Sequence, residues 1–185
     1  SAEDILWNAC SADVEQLLPQ LIWHFDDPMA DVSAIPMMRV AEIAARRVTV
    51  ALSGDGGDEG FGGYTRYANA LKDAYADRLP AAARALLGGV AELLPDTARG
   101  KNRLRWLSHA GDARYASFFQ ATPPFLVRRH LAPAWRAETP GRGAGVEMAA
   151  VFAACPFTDP LARMQYFDAC LYLPGDILPK VDRAS

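Results

Sequence analysis

The 185-residue chain has the length of one domain, and its 51% hydrophobic and 22% charged content is ordinary for a soluble globular protein with a sizeable core. A formal charge of −3, from 19 basic and 22 acidic residues, argues against a dedicated nucleic-acid binder, which is usually basic. No apolar run approaches the roughly 20 residues that cross a bilayer as a helix, and no secretory leader is visible at the start.

In chain order, Ile5-Leu6-Trp7 has the composition of a short strand. Ser11 or Asp13 is placed to cap a helix reaching about Phe25, with Val14, Leu17, Leu18, Leu21 and Ile22 on one apolar face. Asp26-Asp27-Pro28 breaks it, because the residue before proline avoids the helical region. A second helix fits Ala34 to Arg46, and Arg47-Val48-Thr49-Val50-Ala51-Leu52 then reads as a buried strand. A Gly-rich loop follows at 53–64, and the next helix begins near Gly62 and runs to about Arg78, with Tyr64, Tyr67, Leu71 and Tyr75 on one face. Pro80, Pro95, Gly100 and Gly111 divide the middle into short helices. Pro123-Pro124 and 139–143 mark loops, and 143–157 reads as a buried helix. The last long helix fits Pro160 to Leu173 and ends in a turn at Pro174-Gly175. Helix, strand, Gly-rich loop and helix in that order form an α/β unit that takes ligands at the strand's carboxyl end. The chain as a whole is mostly helical with few strands, so any sheet in it is incomplete.

The loop, Ser-Gly-Asp-Gly-Gly-Asp-Glu-Gly-Phe-Gly-Gly-Tyr, holds six glycines and three carboxylates, Asp55, Asp58 and Glu59. Glycine lets backbone N–H groups turn toward an anion, whereas carboxylates beside it would repel a bare phosphate. The combination points to a nucleotide whose phosphates arrive with a divalent cation, which prefers hard oxygen ligands. It is not a Walker loop, since no Gly-Lys-Ser/Thr follows. An EF-hand opening at Asp55 would need an acid where Arg66 stands, and a dinucleotide fingerprint opening at Gly54 would need glycine where Glu59 stands.

Two further segments carry chemistry. In 176–183, Asp-Ile-Leu-Pro-Lys-Val-Asp-Arg, Lys180 lies among apolar neighbours. A buried ammonium is costly unless it meets an anion, so its partner is a phosphate, a carboxylate, or simply Asp176 or Asp182 in an ordinary salt bridge. The segment 26–33 is an acidic loop that by itself reads as a helix break with capping acids. His24, His109 and His130 are scattered and read as structural. Cys10, Cys155 and Cys170 are odd in number, widely spaced and without a C-x-x-C, which indicates neither zinc nor a disulfide framework and favours a reducing cytoplasm.

These three segments, in this order, resemble the synthetase domain of the glutamine-dependent asparagine synthetase family. Ser53 to Glu59 with Phe61 to Tyr64 and Arg66-Tyr67 resembles the family's second nucleotide motif. Tyr172 to Ser185 resembles its lysine-bearing motif, and Asp26 to Pro36 resembles the acidic loop ahead of the strand. The likeness is close at both ends and loose over 70–155. It implies a partial α/β, doubly wound fold of the adenine-nucleotide α-hydrolase type, with 1–185 a single-domain piece of the ATP-dependent synthetase domain.

The resemblance also implies a reaction. The aspartate side-chain carboxylate attacks the α-phosphate of ATP to give an aspartyl-adenylate and pyrophosphate, and ammonia then displaces AMP to give asparagine. The ammonia comes from glutamine, hydrolysed in a separate N-terminal domain. The cofactors implied are ATP and Mg²⁺, and a homodimer is left open. Ser53 and Gly54, with Gly56 and Gly57 in the same turn, fall where backbone groups meet ATP. Asp55 falls where the family has an acid needed to form the intermediate, a base toward ammonia. Asp58 falls in the Mg²⁺ position with Glu59 beside it, Lys180 neutralises the α-phosphate or pyrophosphate, and Asp31 and Ser33 belong to the amino-acid pocket.

The chain departs from the family pattern in three places. Gly60 replaces a large apolar residue before Phe61, which should loosen packing under the loop, and Gly175 replaces an acid before Asp176. The family's Ser-Gly-Gly-x-Asp-Ser pyrophosphate loop and the glutaminase cysteine are not found in 1–185. The chain therefore reads as an internal piece with one half of the ATP site, expected to be inactive alone. Two rivals stay open: a relative that adenylates another carboxylate, such as a β-lactam-forming synthetase or another amidotransferase, and a non-catalytic binding module of the same fold.

Overall fold

Proline, glycine and short apolar stripes set the helix boundaries in the computed structural model, which describes residues 14–26, 29, 31–95, 97–120, 122, 127, 129–138 and 144–185, the side chains of 14–16 and 144 excepted. The expected strand at 5–7, the caps Ser11 and Asp13, Asp27-Pro28, Pro123-Pro124 and the loop at 139–143 lie outside those residues. The described elements are α1 Val14–Phe25, α2 Ala34–Ala45, α3 Gly57–Phe61, α4 Thr65–Lys72, a 3₁₀ segment Asp73–Arg78, α5 Ala81–Leu93, α6 Lys101–Ser108, α7 Gly111–Ser117, α8 Pro133–Glu138, α9 Ala144–Ala154 and α10 Pro160–Phe167. A π-helix, Asp168–Ile177, and α11 Leu178–Ala184 complete the order. The chain divides into two compact units, 1–57 with 172–185, and 58–171.

In the first unit α1, α2 and α11 pack on one another. Phe25, Ala34, Met38 and Ala184 form the buried cluster, with Leu21, Met29 and Met37 against it. Among the described side chains of α1, Leu17 and Phe25 are buried, Leu21 is half-buried, and Leu18 and Ile22 of the expected face are exposed. The helix ends as expected: Asp26 leaves it at φ +59°.

The strand expected at 47–52 is not formed. Among the described residues there is no strand, and Val48, Val50 and Leu52 are exposed, Leu52 at 97%. The physical reason is that β-branched residues favour an extended chain, but a strand also needs a neighbour to take its N–H and C=O groups. No described segment supplies that neighbour.

In the second unit an aromatic core holds Tyr67, Tyr115, Ala116, Met148, Phe152, Met164 and Phe167, from α4, α7, α9 and α10. Phe152 and Phe167 stack with ring centroids 4.6 Å apart. The helix expected from Gly62 to Arg78 is α4 plus the 3₁₀ segment, and it buries Tyr67, Asp73 and Ala76 while Leu71 and Tyr75 face out. Of the helix expected over 143–157, the described residues form Ala144–Ala154, which buries Met148 and Phe152 while Val146 is exposed. Helices begin after Pro80 and Gly100 and at Gly111 and Pro160, as the punctuation predicts. The turn expected at Pro174-Gly175 is instead part of the π-helix. A proline has no N–H and crowds the carbonyl four residues back, and the wider π winding gives that carbonyl room.

Candidate functional site

Lys180 and Ala184 are four residues apart on α11 and share one face. Ala184 fills the apolar cluster, and Lys180 lies one turn nearer the start of the helix, only 7% exposed. Its Nζ donates to Asp31 Oδ2 at 2.7 Å and to Ser33 Oγ at 2.8 Å. Neither Asp176 nor Asp182 is the partner in this ion pair; the carboxylate comes from 149 residues away. Ser33 is the N-cap of α2, where a hydroxyl normally accepts from the helix's own N–H groups. Here it makes no such bond. Its Oγ donates to Asp31 Oδ2 and its N–H to Asp31 Oδ1, both at 2.8 Å. Burial pushes the Asp31 carboxyl up, but the hydrogen bonds from Lys180 and Ser33 outweigh it and hold the carboxyl below its ordinary value. Asp176 is shifted the other way, raised by burial and by the charge of Asp31, with Lys180 and Tyr172 opposing.

The first half of the Gly-rich loop is an open turn in the same unit. Gly57 N–H donates to the Gly54 carbonyl at 3.1 Å, with Gly56 at φ +88° between them. Ser53 Oγ donates to Asp55 Oδ2 at 2.6 Å, and both residues are exposed.

The second half opens the other unit. Asp58 and Glu59 are consecutive on α3, so their side chains diverge. Asp58 is exposed, and Glu59 is 4% exposed. Tyr64 donates its hydroxyl to Glu59 Oε1 at 2.6 Å. Gln165 Nε2, on α10, donates to the carbonyls of Glu59 at 2.9 Å and Gly60 at 3.0 Å. Gly63 N–H closes the turn on the Asp58 carbonyl at 3.0 Å, after Gly62 at φ +71°. The Asp58 carboxylate lies against Gly63 so closely that a Cβ there would stand 2.0 Å from Oδ1. Gly60, by contrast, is exposed, and among the described residues nothing lies within 4 Å of where its Cβ would stand.

Behind α3 lies a network that the sequence reading missed. Asp168, with 0% exposure, accepts on Oδ2 from Tyr67 at 2.5 Å, Tyr115 at 2.7 Å and Arg66 at 2.8 Å. Burial and the Asp168 charge raise both tyrosines far above the ordinary phenol range, which keeps them protonated as donors. The Arg66 guanidinium also lies 3.6 Å from the centre of the Tyr64 ring. The available signal was a charge on each of two otherwise apolar helical faces, Arg66 and Asp168.

Of the residues expected from sequence, Lys180, Asp31 and Ser33 come together, as do Ser53 and Asp55. Asp58 and Glu59 share a turn but part company in burial. Among the described residues no group of three or more histidine, cysteine, aspartate or glutamate side chains converges on a metal position, and no helix is long and apolar enough to cross a membrane.

The class of domain that carries this loop and this lysine can be stated from comparison with known proteins. Residues 8–185 match the family model described as asparagine synthase, and the chain belongs to that family. A Bacillus subtilis protein named asparagine synthetase (glutamine-hydrolyzing) 1 is 36% identical over 171 residues, covering 90% of this chain and 26% of that protein. A Mycobacterium bovis protein, provisionally named a glutamine-hydrolyzing asparagine synthetase, is 37% identical over 166 residues, covering 90% of this chain and 25% of its own. A Methanocaldococcus jannaschii protein, provisionally named glutamine-hydrolyzing asparagine synthetase 2, is 44% identical over 68 residues, 37% of this chain and 13% of its own. The chain thus spans about a quarter of the length of the first two relatives. No solved structure matches.

Proposed function

We propose that the intact protein carrying this chain is an ATP-dependent amide-forming ligase of the glutamine-hydrolysing asparagine synthase type. It adenylates the side-chain carboxylate of aspartate, and ammonia displaces AMP. The observation that carries the reading is the buried Lys180 held by Asp31 and Ser33 from the far end of the chain. Two of the three family segments thereby meet around one cation. Residues 1–185 form part of the doubly wound, adenine-nucleotide α-hydrolase-like synthetase domain in this reading. Pyrophosphate-loop contacts, the glutaminase step, pairing of two copies and a cytoplasmic setting, in keeping with free Cys155 and Cys170, belong to the same proposal.

An ammonium has three N–H donors. Two are engaged on Asp31 and Ser33, and the third is the one offered to the α-phosphate or the leaving pyrophosphate. Attack of a carboxylate on a polyanion needs fixed positive charge where negative charge develops. Asp31 and Ser33 are positioning residues here: they fix the cation in place at the edge of the amino-acid pocket. Ser53 and the amides of Gly54 and Gly56 meet the nucleotide, Gly57 shapes the same turn by donating its N–H to the Gly54 carbonyl, and the exposed Asp55 takes the proton that ammonia sheds.

Mg²⁺ fits the donor set. It characteristically uses one or two carboxylates and fills its remaining positions with water and phosphate oxygens, and the exposed Asp58, lodged against Gly63, offers one such carboxylate. When bound, the ion would offset phosphate charge.

The test is ATP–pyrophosphate exchange in the intact protein. Exchange should require aspartate and fall at least a hundredfold in Lys180→Met, with helix content retained. Exchange driven only by other carboxylates would favour the β-lactam-forming and other amidotransferase relatives, and none at all would favour a binding module.

A further inference from the structure

We infer that Glu59 is a positioning residue and not a metal ligand: with Tyr64 and Gln165 it forms a latch that fixes the 58–63 turn and so aims Asp58. The inference deepens the proposed function and rests on it for the purpose of that aim. The latch itself rests on four observations in the second unit. Glu59 is 4% exposed, and its Oε1 accepts the Tyr64 hydroxyl at 2.6 Å. A carboxyl engaged in this way has little surface left to offer a cation. Its neighbour Asp58, one helical position earlier, is exposed.

Gln165 supplies the second tie. The last carbonyls of a helix have no partner within it, and α3 is a single short turn with no packing length to hold it. One amide group, from 105 and 106 residues away in sequence, caps two of its carbonyls. The third tie is the bond from Gly63 N–H to the Asp58 carbonyl. With Gly63 beneath it, the Asp58 carboxylate is confined on one side by backbone. Tyr64 is itself backed by the Arg66 guanidinium, which Asp168 holds. The Arg66–Asp168 ion pair therefore stands behind the exposed Asp58 through two residues, Tyr64 and Glu59.

A ligand role and a latch role separate under isosteric substitution. Glu59→Gln keeps the shape and the oxygen that Tyr64 needs but removes the charge a cation needs. Gln165→Glu keeps the shape but sets a carboxylate against two carbonyls. Tyr64→Phe removes only the hydroxyl. Two readouts apply to the intact protein: amide hydrogen exchange of residues 59–63 without nucleotide, and the Mg²⁺ half-saturation of ATP–pyrophosphate exchange. The latch expects Gln165→Glu and Tyr64→Phe to speed those amides at least tenfold and to raise Mg²⁺ half-saturation at least fivefold. It expects Glu59→Gln to shift either quantity less than threefold. A tenfold rise in Mg²⁺ half-saturation in Glu59→Gln, with amide exchange unmoved, would make Glu59 a ligand and overturn the latch. Amide exchange within threefold of the parent in Gln165→Glu would overturn it too. If instead Asp58→Asn leaves the Mg²⁺ dependence unchanged, the metal reading of Asp58 fails, and the amide exchange alone still decides whether the latch exists.

Discussion

Asp176 sits in the first unit with Asp31 and Lys180 as its charged neighbours. Burial lifts its carboxyl above the ordinary 3.8, Asp31 adds to the rise, and Lys180 and Tyr172 oppose it without cancelling. A carboxyl raised in the folded state favours the fold while it is protonated. That contribution is complete below the unfolded value and is lost as pH climbs through the raised one. At neutral pH the Asp176 anion is therefore a net cost to the fold. Asp176→Asn is expected to raise the urea midpoint at pH 7, with the advantage shrinking toward pH 3. A lower midpoint for the variant at pH 7 would contradict the assignment of burial as the dominant cause. Asp31 runs in the opposite sense. Burial raises it, the bonds from Lys180 and Ser33 more than reverse that, and its contribution is present above 3.8 and lost as pH falls through the lowered value.

At the scale of elements, the run from α10 through the π-helix to α11 carries both charged centres. Asp168 opens the π-helix and ties α10 to α4 and α7 through Arg66, Tyr67 and Tyr115. All three donors converge on one oxygen, and removing the carboxylate leaves a largely buried guanidinium and two buried hydroxyls without their common acceptor. Breaking a buried pair in this way costs about 3–5 kcal/mol, whereas losing one neutral donor costs about 1 kcal/mol. Asp168→Ala should therefore destabilise the protein several times more than Tyr67→Phe, as measured by chemical denaturation. Equal and small losses would mean that the aromatic core alone holds these helices. The sequence signs for these elements differ in kind. Pro80, Gly100 and Pro160 were readable because each constrains its own backbone. The π-helix was not, because Pro174 is equally at home in a turn, and only packing on either side decides between the two.

For the whole molecule, what was legible divides by the range of the interaction. The Gly-rich loop and Lys180 stood out locally, as charges or glycines where packing alone does not ask for them. The pairing of Lys180 with Asp31 spans 149 residues and follows from how α11 meets α2, which no local pattern encodes. The strand at 47–52 is the converse case: the local pattern was strong, but its fulfilment lies in a partner. Val48, Val50 and Leu52 are exposed, as are Trp23, Val32, Phe61 and Leu93, and exposed apolar side chains grouped in a patch mark a surface that something else covers. The chain is about a quarter of its relatives' length, and in the proposed doubly wound fold neighbouring strands come from the remainder. Backbone amides of 48–52 should then exchange freely in the 185-residue chain and at least a hundredfold more slowly in the intact protein. Free exchange in both would mean that this segment joins no sheet, and protection in both would mean that the chain supplies its own partner. Either result would count against a neighbouring strand supplied by the remainder of the protein, while leaving the Lys180 site where it stands.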